Sequence, residues 1–266
     1  KRLHDKGLIY EGFKSMNICP HCETTLSNFE VAQGYKDITD ISVYVKFKIK
    51  NQTKDIKTTN SYLLVWTTTP WTLPGNVALA VNRSIAYYKL TFSKISNKDH
   101  FPTMLQKFDF KEGESYIASA DFWKRNGLEV ETAISSGLPV WLVEADARLE
   151  LEPASDLVGQ SYEPIFDYYV KKKLENSENA WKISDADFVT ATEGTGIVHI
   201  APAFGADDYD LSLKRNLPFV QHVAIDGTFK SEVIDFAGLK VKPKDTEADT
   251  IAHQKTDIEI IKWLAI

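Results

Sequence analysis

Gly194-Thr195-Gly196-Ile197-Val198-His199-Ile200-Ala201-Pro202-Ala203-Phe204-Gly205-Ala206-Asp207-Asp208-Tyr209 is the stretch on which the architecture of the chain turns. It reads as a loop flexed at Gly194 and Gly196, a short buried strand over 197–200, a second turn that ends at Gly205, and a helix over 206–216 opened by Asp207 and Asp208. One imidazole, His199, then sits at a strand end, and two carboxylates sit in the first turn of a helix. Glycine at the loop permits close approach of a ligand, and strand end and helix start can converge on it. The plainer reading makes His199 a satisfied core histidine, with Asp207 and Asp208 serving only the helix N-terminus through capping and the dipole. The stretch alone leaves both open.

A second stretch adds to the first. Tyr62-Leu63-Leu64-Val65-Trp66 is continuously apolar, as a strand central to a sheet is, and it runs into Thr67-Thr68-Thr69-Pro70-Trp71-Thr72-Leu73-Pro74-Gly75-Asn76. The prolines and the glycine stop the strand and hold a loop whose rim carries the hydroxyl and amide groups of Thr67, Thr68, Thr69, Thr72 and Asn76. Threonine is ordinary in strands because it is β-branched, but its concentration around Pro70-Trp71 exceeds that account.

Outward from these stretches the pattern is mainly strand-like. Val43–Lys50 alternates apolar and polar residues before a turn at Asn51 and Gln52, and Val77–Val81 resumes a sheet. Further strands are expected over 116–120, 128–134, 138–145 and 219–224, with a helical turn at 121–126 and a turn at Asp226-Gly227. Lys94–Gly113 is polar and reads as a surface excursion. Lys1–Tyr10 reads as the last turns of a helix closed by Gly7, and 246–266 has helical spacing at Ile251, Ile258, Ile261 and Leu264. The expected class is α+β, predominantly β and barrel-like, with helical ends. Its expected segments are 1–40, 41–235 and an exit segment over 236–266, where Lys242-Pro243-Lys244 reads as surface linker.

Composition sets bounds on function. Hydrophobic residues at 43% supply a substantial core, and no apolar run reaches bilayer length, so a soluble, intracellular protein is expected. A net charge of −6 argues against wrapping nucleic acid broadly while leaving room to grip one strand end. The lysine clusters at 46–50, 171–173 and 240–244 read as solvated faces. The two cysteines, Cys19 and Cys22, flank Pro20-His21 in a Cys-x-x-Cys knuckle that supplies half of a tetrahedral zinc site. His4 and His21 are candidate further ligands, but a half-site completed from elsewhere is favoured over a site closed within the chain.

Together these motifs resemble the editing domain of isoleucyl-tRNA synthetase, the insertion called connective polypeptide one. The resemblance runs through Lys6-Gly7-Leu8-Ile9-Tyr10, Cys19-Pro20-His21-Cys22, Glu30-Val31-Ala32-Gln33-Gly34-Tyr35-Lys36-Asp37, the Gly194 segment and above all Trp66–Pro74. The related valyl and leucyl enzymes carry an Arg after the paired threonines, where this chain has Thr69. The His-Ile-Gly-His and Lys-Met-Ser-Lys-Ser signatures of the synthetic site are absent from the sequence. ATP use is therefore expected only of a separate catalytic domain, and the second pair of zinc ligands beyond Ile266.

The resemblance implies an aminoacyl-tRNA deacylase that takes the 3′ acceptor end of tRNA(Ile) carrying valine and hydrolyses the ester. Asp208 would pair with the α-ammonium, while His199 and Thr72 would wall the side-chain pocket so that valine enters and isoleucine clashes. Thr67, Thr68, Thr69, Trp71 and Asn76 would hold the terminal adenosine or the attacking water, and Thr195, flanked by Gly194 and Gly196, would touch the nucleotide through its backbone. Lacking a Ser-His-Asp or Cys-His pair, the scheme uses water without a covalent intermediate, metal or other cofactor. The expected partners are the tRNA and the remaining synthetase domains, in a cytoplasmic monomer without membrane contact. The alternative is a module that binds the acceptor end without hydrolysing it.

Overall fold

The apolar run of 62–66 becomes a strand because the chain covers it on both faces. In the computed structural model, which describes residues 1–10, 14–19, 22–33, 35, 37–50, 60–95, 98–243 and 251–265, strands β1 (Val43–Lys48), β2 (Asn60–Thr67), β3 (Ala78–Val81), β4 (Tyr87–Phe92), β5 (Glu114–Ser119), β6 (Ala147–Glu152), β7 (Lys182–Asp185) and β8 (Val198–Ile200) form two sheets. The larger runs β1-β2-β5-β4-β6 and the smaller β7-β3-β8. Within the larger sheet only β2 and β5 are parallel, and in the smaller one β3 pairs with β7 in parallel and with β8 antiparallel. The helices are α1 (Asn28–Gln33), α2 (Ala120–Arg125), α3 (Val130–Ser136), α4 (Val140–Glu144), α5 (Ala154–Leu157), α6 (Ala206–Arg215) and α7 (Lys255–Leu264).

Three apolar clusters follow from this layering. Leu63 and Val65 of β2 face a core shared with Val45 and Phe47 of β1, Leu79 and Val81 of β3, and Ile260 of α7. Leu64, pointing the other way as period two requires, joins Phe92, Tyr116, Phe122 and Trp123 in a second core. Ala78, Ala80 and Ile200 of the small sheet pack against Leu211 of α6 in a third. The sheet that carries His199 is thus braced on both sides. Among the described residues no helix is long and apolar enough to cross a membrane.

Several expectations are corrected. The α+β class holds, but the pairings leave two open sheets rather than a closed barrel. Residues 128–134 and 138–145 form α3 and α4, since burying Val130 with Ala133, and Trp141 with Leu142, against the second core outweighs their β-branched composition. The excursion over 94–113 is no bare surface segment: Phe101, Leu105 and Phe110 are buried in that same core. Residues 1–10 make turns instead of a helix, so only the C-terminal end is helical. Residues 219–224 contribute one isolated bridge, Val223 to Phe229. The turn expected at Asn51 and Gln52, residues Pro20, His21, Gly34, Lys36 and Lys244, and the start of the C-terminal helical segment over 246–250 lie outside the described residues.

Candidate active site

The site begins where β2 ends. Thr67 closes the strand, Thr69 donates its backbone N–H to Thr67 Oγ1 at 3.1 Å, and Pro70–Gly75 winds into a 3-10 turn that Pro70 can start at no cost in hydrogen bonds. Thr72 Oγ1 donates to the Thr69 carbonyl at 2.8 Å. The Thr69 hydroxyl lies 3.3 Å from Thr72 Oγ1 and 3.4 Å from Thr67 Oγ1. Three of the four threonines therefore form one network, with Thr67 and Thr72 buried and Thr69 partly so, whereas Thr68 is exposed and outside it.

His199 enters that network from β8, opposite Leu79 of β3. Its Nε2 lies 3.1 Å from Thr72 Oγ1 and 3.4 Å from Thr67 Oγ1. Because the Thr69 carbonyl can only accept, it takes the Thr72 proton, which assigns the ring hydrogen to Nε2 as donor toward Thr72. Nδ1 is left as a buried acceptor without a partner among the described residues. Burial, helped by the nearby His222, pulls the His199 pKa down to about 4, so the ring is neutral at physiological pH. The Thr72 hydroxyl is held by a donor ring and is no activated nucleophile.

Asp208 approaches the end of the same strand from α6. Its Oδ2 accepts the N–H of Ala201, two residues past His199, at 2.9 Å. Burial raises the Asp208 carboxyl to about 6 against the Ala201 hydrogen bond, and the charge of exposed Asp207 adds to the rise. The convergence of strand end and helix start is realised, and it is Asp208 rather than Asp207 that turns inward.

Other candidate residues are committed to the fold. Asn76 Oδ1 accepts from the Tyr162 hydroxyl at 2.6 Å and its Nδ2 donates to the Ala78 carbonyl at 2.8 Å, leaving little for a ligand. At Gly194 (φ +60°) and Gly196 (φ +75°) the chain turns left-handed, but the carbonyls of the loop face the protein. That of Gly194 takes a hydrogen bond from Arg125 at 2.5 Å, that of Thr195 from Ser119 N–H at 2.9 Å, and that of Gly196 from the Tyr87 hydroxyl at 2.7 Å. The loop is a rigid wall beside β8, with Thr195 buried. A cavity of about 410 Å³ is lined by Trp71, Ala203, Phe204, Val223 and Ile225, so it touches both the threonine loop and the turn between His199 and Asp208.

Cys19 and Cys22 sit in a small hairpin closed by the Ile18–Thr25 bridge, with Cys22 Sγ 3.0 Å from Thr24 Oγ1. Two thiols fit half of a tetrahedral zinc site, and among the described residues no group of three metal-binding side chains forms, with His4 or otherwise. His21 lies outside the described residues.

Sequence reasoning missed His222 and Asp257. Trp71 donates its backbone N–H to Asp257 Oδ1 at 2.9 Å, and its carbonyl accepts from His222 Nε2 at 2.9 Å. Neither residue stands in a motif; the one available signal is a lone histidine in the mostly apolar 217–224 segment.

The family model described as tRNA synthetases class I (I, L, M and V) matches residues 1–232. The isoleucine–tRNA ligase of Clostridium kluyveri is 38% identical over 255 residues, 96% of this chain and 20% of that protein. That of Bdellovibrio bacteriovorus is 36% identical, again over 96% of this chain and 20% of its own length. The chain thus spans about one fifth of the length of the curated relatives it matches. Among solved structures, the editing domain of P. falciparum cytosolic leucyl-tRNA synthetase aligns with a TM-score of 0.41 at 16% identity, over 66% of this chain and 67% of that one. For the P. knowlesi counterpart the TM-score is 0.42 at 15% identity, over 69% of this chain and 67% of that one.

Proposed function

Because the chain belongs to the class I tRNA synthetases of the I, L, M and V group, we propose that it is the editing domain of an isoleucine–tRNA ligase and hydrolyses valyl-tRNA(Ile). The observation that carries this reading is that the Asp208 carboxylate is anchored on the Ala201 N–H, just past the end of the strand whose His199 bonds Thr72. A carboxylate there selects an α-ammonium, hence an aminoacyl ester with a free amino group. A neutral imidazole and a threonine methyl can bound a small apolar pocket, and the steric bulk of isoleucine excludes it. This chemistry answers the difficulty for which isoleucyl-tRNA synthetase is itself the standard example: a synthetic pocket that fits isoleucine cannot strongly refuse valine. The nucleophile is water, oriented by the threonine network and assisted by the vicinal hydroxyl of the terminal ribose; Thr72, its proton engaged by a carbonyl, does not form an ester intermediate.

Single-turnover hydrolysis of valyl-tRNA(Ile) beside isoleucyl-tRNA(Ile) tests the reading. Fast loss of valine, slow loss of isoleucine and an inert, folded Asp208→Ala variant are expected. Saturable binding with both esters decaying at the buffer rate, in this chain and in the complete ligase, would reduce the domain to a docking module.

A further inference from the structure

Trp71 is held by its backbone from two sides that lie far apart in sequence. Its N–H donates to Asp257 Oδ1 at 2.9 Å, and Asp257, without solvent exposure, is anchored in turn by Lys242 Nζ at 2.7 Å from Oδ2. Its carbonyl accepts from His222 at 2.9 Å. A carbonyl can only accept, so His222 carries its proton on Nε2, and Nδ1 remains a buried acceptor without a partner among the described residues.

The surroundings leave His222 no slack. The ring is fully buried, meets Phe204 edge-on at 4.7 Å between centroids, and stacks on Phe229 at 5.6 Å. On its open side it presses against the backbone of the 3-10 turn, where a Cβ at Gly75 would lie 2.4 Å from Nδ1. Between Trp71 and Gly75 stands Thr72, whose hydroxyl meets His199. A burial this complete, around a polar ring with one unpaired nitrogen, costs stability that an aromatic hydrocarbon would not.

We propose that His222 and Asp257 are positioning residues that clamp the Trp71 peptide and thereby set Thr72 against His199, fixing the size of the side-chain pocket. The proposal rests on the editing reading for its functional consequence, but its structural content can be tested separately. His222 never touches substrate; it acts through one carbonyl. Losing the clamp frees the turn to shift, and a pocket that separates two side chains by one methylene tolerates little shift.

The test compares His222→Phe, which keeps an aromatic ring and loses the donor, with His222→Gln, which keeps an N–H donor. Two readouts are taken at pH 7.5: the imidazole nitrogen and proton resonances of His199, and single-turnover hydrolysis of valyl- and isoleucyl-tRNA(Ile). In His222→Phe the His199 resonances move, and the preference for the valyl ester falls by roughly tenfold, chiefly by faster isoleucine loss or slower valine turnover at unchanged KM. His222→Gln returns both readouts toward the parent. Unmoved His199 resonances and an unchanged preference in folded His222→Phe overturn the clamp. So does a cooperative melt kept in His222→Gln and lost in His222→Phe, which would make the residue a plain support of the fold. Should neither the parent chain nor the complete ligase hydrolyse the valyl ester, the editing reading fails while the His199 resonances still decide the clamp.

Discussion

At the scale of single residues, one cause moves the pKa values of two ionisable groups near the end of β8 in opposite directions. Burial lowers His199 to about 4 and raises Asp208 to about 6. Under the proposed mechanism the carboxylate must be ionised, so hydrolysis rises with pH through about 6 and levels above it, and the limb belongs to Asp208. Asp208→Asn removes the limb along with most of the activity, while His199→Gln keeps a limb at the same pH; a rate profile from pH 5 to 8 checks this. Stability runs in the same sense for the histidines. A ring whose folded pKa is about 4 and whose ordinary value is 6.5 stabilises fully above pH 6.5 and loses that contribution as pH falls toward 4. His222, also lowered to about 4 by burial, adds to the loss, whereas Asp208 gains stability as pH falls from about 6 toward 3.8. Urea titrations at pH 7.5 and 4.5 are expected to show the acid loss reduced by roughly 2–3 kcal/mol in His199→Gln.

At the scale of elements, the loop of 194–196 depends on backbone geometry that one methyl group breaks. A Cβ at Gly196 would lie 2.7 Å from Ser119 Cβ, and φ there is +75°. Gly196→Ala is expected to cost ~2 kcal/mol or more in urea unfolding and to slow hydrolysis. Gly238→Ala, at φ +80° with no atom within 4 Å of the added Cβ, carries the backbone strain alone and is expected to cost about 1 kcal/mol. What the sequence disclosed is uneven for a physical reason. The strand of 62–67 and helix α6 were legible because an apolar run and an acidic helix start are local signals. The helix over 130–136 was not, since Leu128-Glu129-Val130-Glu131 alternates like a strand and only burial of Val130 with Ala133 selects the helix. The network joining Thr67, Thr69, Thr72 and His199 was half legible: its residue types stood out, but which hydroxyl meets the ring is a matter of tertiary register. His222 and Asp257 act through a backbone carbonyl and N–H, which leave no trace in residue type.

At the scale of the whole molecule, the C-terminal helix is tied to the site by charge. Lys242 bridges Asp40 at 2.8 Å and Asp257 at 2.7 Å, and burial keeps the Asp257 carboxyl above its usual range in spite of that partner. Removing the lysine strands a buried carboxylate beside Trp71. Lys242→Met is expected to destabilise by about 3 kcal/mol, and the double variant with Asp257→Asn to recover part of it, as read by urea unfolding. A loss under ~1 kcal/mol would class the group with ordinary surface pairs. The small sheet has a consequence of another kind. Its middle strand, Ala78–Val81, finds one neighbour at Lys182–Asp185 and the other at Val198–Ile200, about 100 and about 120 residues downstream. Loops of that size close slowly, and their entropy must be met before any pairing rewards it. On a ribosome the threonine loop therefore waits, made but idle, until more than a hundred further residues have emerged, and the site comes into being as one of the last events of folding.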